Sequence, residues 1–232
     1  MSAPAAGLPL DAATARTVAA AFLPSRWHGN RWHYHYALAK LRTDPLYPGV
    51  VDALRGTRAP LLDLGCGIGL LAHALRAAGL DLDYRGVDND AAKVAHARAA
   101  AIRGDLQGVA FDAIDLADGT PAHAGSVAIL DVLQFVDPAV QDGLLDDAIA
   151  MLVPGARLVI RTGLDDGSRR ARVTRGIDAM SRLVGWMNAG PGRYPEAYGL
   201  AARFAAAGLE SEFVPLHGRT PFNNWRIVAT KP

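Results

Sequence analysis

From residue 59 onward, short apolar runs alternate with segments whose apolar residues recur every three or four positions. APLLDLG (59–65) reads as a buried strand and LLAHALRAAG (70–79) as a helix, with Leu71, Leu75 and Ala78 on one face and Gly79 placed to cap it. DYRGVD (83–88), GVAFDAID (108–115) and SVAILDVL (126–133) repeat the strand pattern. AAKVAHARAAAIRG (91–104) and AVQDGLLDDAIAML (139–152) repeat the helical one, the second carrying Leu144, Leu145, Ala148 and Leu152 on one side. PGARLVIRT (154–162) is a turn followed by a fifth strand. Such alternation predicts a parallel sheet covered by helices on both faces.

The end of the chain departs from this rhythm. YPEAYGLAARFAAAGL (194–209) reads as a helix with Pro195 in its first turn, then ESEFVPL (210–216) and NWRIVAT (224–230) as strands. Between those strands lie only about seven residues, and a parallel crossover needs roughly a dozen or more. The last strand therefore runs antiparallel, in a hairpin with its predecessor. Between residues 168 and 187, Val173, Ile177, Met180, Val184 and Met187 share a helical face, and Arg169, Arg170, Arg172 and Arg175 crowd its start. The expected architecture is a doubly wound α/β fold of seven strands, mostly parallel with an antiparallel last strand. Residues 1–57 form an N-terminal helical cap and 58–232 the core, with a helical insertion at about 168–194.

Composition narrows the class. Of 232 residues, 50% are hydrophobic and 20% charged, which suits a packed core and not a disordered chain. A net charge of +1 lacks the basic excess of a nucleic-acid binder. One cysteine excludes an internal disulfide and a multi-cysteine metal site. No basic segment precedes the apolar stretch Val18–Leu23, and no apolar run approaches the length of a membrane span. The expectation is a cytoplasmic protein, monomer or homodimer, without membrane insertion or nucleic acid.

The candidate chemistry sits in the turns after the strands. Gly65, Gly67 and Gly69 in LLDLGCGIG allow unusual backbone angles and close approach of a ligand, and the helix behind them offers free N–H groups. A dinucleotide fingerprint needs glycine at position 70, where this chain has Leu70. Asp63, just before the loop, is unfavourable beside a pyrophosphate and suits an ammonium group. Both details favour S-adenosylmethionine over a nicotinamide dinucleotide. Asp88, 23 positions after Gly65, stands where an acidic residue accepts ribose hydroxyls, with Asn89 beside it, while Asp90 caps the next helix. Asp115 and the N–H of Leu116 suit an adenine ring, with Asp112 as a competitor. Asp131 lies at the end of the fourth strand, on the edge where open α/β sheets bind ligands. Cys66 reads as a small filler within the loop, not a nucleophile.

These motifs together resemble the class I S-adenosylmethionine-dependent methyltransferases over about residues 58–232. The resemblance implies that Asp63 and Gly65 to Gly69 (Cys66 included) surround the methionine part, Asp88 the ribose, Asp115 and Leu116 the adenine, and that Asp131 lies near the sulfonium. Asp131-Val132-Leu133-Gln134 differs from the tetrapeptide of base and glutamine N-methyltransferases, and Gln134 stands where similar small-molecule enzymes often have histidine. Too few acidic residues follow the fourth strand for a catechol-type metal site, so no metal is expected. YALAKLRTDPLY and TPFNN look like segments of methyltransferases from bacterial pigment and aryl-polyene pathways.

RWHGNRWHYHY (26–36) concentrates aromatic and histidine side chains ahead of this core. On a helix, His33 and His35 diverge by about 200°, a poor chelate. The segment reads either as core aromatics under a surface helix or as a lid. As a lid, it brings Tyr36 or Tyr34 to the cofactor or substrate and His33 or His35 as a general base, with His217 a rival base and Gln134 facing the substrate. The expected function is methyl transfer to a small molecule, free or carrier-bound, at the hydroxyl or ring carbon of a phenolic or acyl-aromatic compound. A nicotinamide-dependent oxidoreductase and a cofactor-binding, non-catalytic partner subunit are the alternatives.

Overall fold

A computed structural model describes residues 10–26, 28–164, 194–216 and 223–232. Three helices open the chain: α1 (Ala12–Ala20), α2 (Trp32–Thr43) and α3 (Leu46–Leu54). The core follows as β1 (Leu61–Leu64), α4 (Leu70–Ala77), β2 (Tyr84–Asp88), α5 (Ala91–Arg103), β3 (Val109–Ala113), β4 (Ser126–Leu130), α6 (Pro138–Ala150), β5 (Arg157–Gly163), α7 (Ala197–Ala206), β6 (Glu210–Pro215) and β7 (Asn224–Thr230). The strands form one sheet of order β3-β2-β1-β4-β5-β7-β6. β7 runs antiparallel to both β5 and β6, so the other six strands share one direction. The short 216–224 connection left no room for a crossover, so β7 is antiparallel to β6 as expected; its place between β5 and β6 comes from the fold.

Burial explains the central strands. Every residue of β1 is buried, and β4 and β5 are nearly so, because helices cover both faces. α1 to α5 share one apolar cluster and α6 and α7 the other. β6 is the edge, and its Glu210, Ser211 and Glu212 are exposed, which blunts pairing with other strands. Asp11 caps α1 and Asp90 caps α5 through side-chain acceptance of backbone N–H groups. Pro195 is not in a first turn: α7 starts only at Ala197, with Glu196 in the capping position. The 168–187 segment and His217 lie outside the described residues.

α3 is bound to the sheet by arginines. Arg157 of β5 donates to the carbonyls of Ala53 and Arg55 at the end of α3, where the helix dipole favours a cation. Arg226 of β7 donates to the Gly49 carbonyl at 3.1 Å. Strand order reverses between β1 and β4, at the end of the sheet that carries the glycine loop after β1 and Asp131 after β4.

Candidate cofactor and methyl-transfer site

The glycine loop turns sharply out of β1. The N–H groups of Gly65 and Cys66 both donate to the Val87 carbonyl, at 2.8 and 2.9 Å. Gly65 has φ +82, and a Cβ there would stand 2.3 Å from Val132 Cγ2. Gly67 has φ +55, yet a Cβ there would meet nothing within 4 Å, so this is the open side of the loop. Gly65→Ala is expected to cost roughly 2–4 kcal/mol, the sum of left-handed strain and overpacking. A urea melt checks this; an unchanged midpoint contradicts it.

Two carboxylates flank the loop. Asp88, 8% exposed at the end of β2, accepts from the Gly67 N–H at 2.9 Å and the Asp90 N–H at 3.0 Å. Each oxygen retains a lone pair, and Asn89 beside it is exposed. Asp63, 2% exposed, accepts from the Tyr84 hydroxyl through Oδ2, while its Oδ1 is buried with no partner among the described residues. Burial pushes the Asp63 carboxyl up to about 7; the Tyr84 hydrogen bond opposes that and Asp88 adds to it. Cys66 packs against Gly86, and burial, then Asp63 and Asp88, push its thiol up, so it stays protonated and inert.

Further along the edge, the two competing aspartates separate. Asp112 pairs with Arg85 at 2.9 Å and Arg98 at 3.6 Å. Asp115 is exposed and accepts only local bonds among the described residues, from the Ala117 N–H on its side chain and the Asp118 N–H on its carbonyl, and Leu116 is half-buried next to it. Leu133–Phe135 forms a short 3₁₀ turn after β4. Gln134 there is buried and accepts from the Thr162 hydroxyl at 3.1 Å.

α2 lies over this edge as a helix, so its two histidines diverge. His33 packs its ring 4.2 Å from His96 of α5; burial, then His96, lowers its pKa. His35 is exposed with its ring edge toward Tyr34. It points nearly opposite to Lys40 and Asp44 on the helical wheel, so the structure does not bring it to the Asp131 end of the site. Tyr34 is half-buried against the α1–α5 cluster, and Tyr36 is 39% exposed, one turn before Lys40.

A charged cluster that no local motif announces joins the end of α2 to the sheet. Arg161 of β5, 5% exposed, donates through Nη1 to Asp44 at 2.9 Å and Asp131 at 3.1 Å. Lys40 pairs with Asp44 at 2.8 Å. The Arg161 carbonyl also accepts the Asp131 N–H at 2.9 Å. Asp131 is thus gripped through main chain and side chain, in a left-handed conformation (φ +59) uncommon for a non-glycine residue. Tyr47 of α3 stands in the field of this cluster, and burial raises its pKa well above the ordinary value. The available signal was Arg161 itself, since an arginine inside a buried strand requires partners.

Among the described residues no group of three or more His, Cys, Asp or Glu side chains is placed to hold a metal. No helix among them is long and apolar enough to cross a membrane. A groove lined by Pro60, Tyr84, Arg85, Val109 and His123 lies at the opposite edge of the sheet, away from these groups.

Residues 62–158 match the family model described as a methyltransferase domain. The ubiquinone biosynthesis O-methyltransferase of Xylella fastidiosa (strain 9a5c) is 34% identical over 148 residues, 62% of this chain and 56% of that protein. The chain thus spans little more than half the length of that curated relative. Magnesium protoporphyrin IX methyltransferase from Synechocystis PCC 6803, solved with bound S-adenosylhomocysteine, has a TM-score of 0.62 at 16% identity and covers 93% of both chains. An O-methyltransferase family protein from Burkholderia thailandensis has a TM-score of 0.61 at 22% identity, over 88% of this chain and 60% of that one. At such identities these two structures speak for the fold. Residues 62–158 thus match a methyltransferase domain, and the seven-strand order with its reversed β7 is the fold of the class I S-adenosylmethionine-dependent methyltransferases.

Proposed function

We propose that the protein transfers a methyl group from S-adenosylmethionine to a small-molecule acceptor, at the hydroxyl or ring carbon of a phenolic or acyl-aromatic compound. The observation that carries the cofactor assignment is the unpartnered, buried Oδ1 of Asp63 beside the open side of the glycine loop. An orphaned carboxylate oxygen there fits an ammonium group, and the open Gly67 backbone fits close approach of a ligand. The methyltransferase-domain match over residues 62–158 supports this reading over the nicotinamide one.

In this reading Asp63 takes the ammonium of the methionine part, and Gly65, Cys66, Gly67 and Gly69 shape its pocket. Asp88 holds the ribose hydroxyls, with Asn89 at the rim. Asp115 and the Leu116 N–H meet the adenine, while Asp131 and Tyr36 border the sulfonium. When bound, the cofactor supplies a methyl carbon on a good leaving group. The protein's part is to align the acceptor oxygen or carbon in line, exclude water and remove a proton. Tyr34 and Gln134 shape the acceptor side. Of the three histidine candidates for the base, His33 is favoured over His35, because it shares the inward face of α2, where burial and then His96 lower its pKa. His217 is its rival. Residues 1–57 act as the lid.

Methyl-labelled S-adenosylmethionine with a panel of phenolic and acyl-aromatic acceptors, free and carrier-bound, tests this. Transfer to at least one is expected. No calorimetric binding of S-adenosylhomocysteine at about 1 mM sinks the proposal. Binding without transfer to any acceptor favours the non-catalytic partner subunit. His33→Ala and His217→Ala separate the two bases: loss of turnover with cofactor affinity retained marks the one that takes the proton.

Cofactor affinity should depend on pH through Asp63. Its acid form dominates below about 7 in the empty protein, and only Tyr84, Asp88 and Cys66 are its polar neighbours of note. An ammonium favours the ionised form, so binding releases a proton. Affinity is expected to rise with pH up to about 7, by as much as about tenfold per unit, and then level off. The stability sign agrees. A carboxyl raised on folding contributes stability that is complete below its unfolded value of 3.8 and lost as pH rises through about 7. Stabilisation by S-adenosylhomocysteine should therefore be larger at about pH 8 than at about pH 6. A flat profile for Asp63→Asn beside a sloped one for the natural chain is the check.

A further inference from the structure

Arg161 has donor capacity that the described residues do not use. Nη1 alone serves both Asp44 and Asp131. Nε is buried without a hydrogen-bond partner, and Nη2 has none among the described residues. Nε–H and the Nη2 N–H lie along one edge of the guanidinium plane, the edge that meets a carboxylate with two parallel hydrogen bonds. A nine-tenths buried guanidinium with that edge unmet, at the ligand-binding end of the sheet, is costly unless something fills it. Lys40 and Arg161 balance Asp44 and Asp131, and both aspartates sit on the far side, at Nη1. The free edge therefore faces neither internal anion. Tyr47 adds a second unused donor: its ring is 8% exposed, it lies in the field of Arg161 and Asp131, and its hydroxyl has no partner among the described residues.

We propose that the free edge of Arg161, helped by the Tyr47 hydroxyl, seats a carboxylate during methyl transfer. This deepens the proposed function and rests on it. Two ligands of that reading can bring a carboxylate, the acceptor and the methionine part of the cofactor, and the test separates them.

The test uses the full chain and Arg161→Lys, which keeps a cation for Asp44 and Asp131 and removes the edge. Calorimetry follows S-adenosylhomocysteine, 5′-methylthioadenosine (which lacks the amino-acid part) and 4-hydroxybenzoate added to the S-adenosylhomocysteine complex. A loss of about tenfold or more for S-adenosylhomocysteine, with 5′-methylthioadenosine unchanged, assigns the cofactor carboxylate. Unchanged S-adenosylhomocysteine with a similar loss for 4-hydroxybenzoate assigns the acceptor. Natural affinity for both probes in the variant overturns the proposal. So does unchanged S-adenosylhomocysteine affinity when 4-hydroxybenzoate fails to bind the natural complex. If the natural chain binds no S-adenosylhomocysteine, the proposed function falls, a different result from either. Should Arg161→Lys not fold, Tyr47→Phe removes only an unbonded hydroxyl. It is expected to weaken the same probe about fivefold, and unchanged affinity for both overturns the proposal.

Discussion

Asp88→Ala is expected to raise the dissociation constant for S-adenosylhomocysteine by roughly 10²–10⁴-fold. In the proposed role, two hydrogen bonds from ribose hydroxyls to a charged acceptor are lost, each about 1.5–3 kcal/mol. The same carboxylate also holds the Gly67 N–H at 2.9 Å and the Asp90 N–H at 3.0 Å, so the glycine loop loses its tether as well. Asp88→Asn keeps one acceptor and should fall between the two. Calorimetry measures all three proteins. Natural affinity in the Ala variant would remove Asp88 from the ribose and leave it a loop anchor only.

Asp44→Ala is expected to have the largest effect on stability, about 3 kcal/mol in a urea melt. Removing one partner of a buried ion pair leaves the opposite charge uncompensated, typically about 3–5 kcal/mol, and Asp131 on the same guanidinium holds the loss toward the lower end. Asp44 also accepts the Leu46 N–H at 3.0 Å, at the start of α3. Asp44→Asn keeps that bond and should lose less. Acid sensitivity gives a second reading. Burial pushes the Asp44 carboxyl up, but Arg161 and Lys40 outweigh it and hold the carboxyl below the usual carboxylate range. Its stabilisation is therefore present above the unfolded value of 3.8 and is lost as pH falls through the depressed folded value. The Ala variant should show a shallower decline in acid than the natural chain. Equal stability of the two at neutral pH would mean that the lid does not depend on this pair.

The cluster makes the position of Asp131 depend on α2 and α3. Lys40 and Asp44 come from the end of α2, Asp131 from the turn after β4 and Arg161 from β5. If α2 closes over the site as proposed, it is seated by the same residues that shape the site. Changes at Asp44 should therefore reach cofactor binding as well as folding, while Gly65→Ala acts on the loop alone.

Much of the molecule was legible in the chain because its signals are local. Continuous apolar runs mark strands buried on both faces, glycines mark the left-handed loop, and Asp90 marks a helix start; each follows from a few neighbouring residues. Even the reversed β7 follows from one connection too short for a crossover. The contacts of α2 with the sheet were not legible, because Asp44 and Arg161 are separated by 117 residues and nothing local pairs them. The same holds for the Tyr84 hydroxyl on Asp63, which joins adjacent strands across the sheet. His33 and His35 show the division well. Helical periodicity alone separates the two side chains, but only packing turns one toward His96 and the other to solvent. Backbone conformation and apolar patterning are set within a few residues, so the sequence by itself determined the sheet, its order of elements and the cofactor loop. Buried charges must find partners wherever the fold brings them, so only the tertiary structure decided that Arg161 joins Asp44 to Asp131 and leaves one edge free.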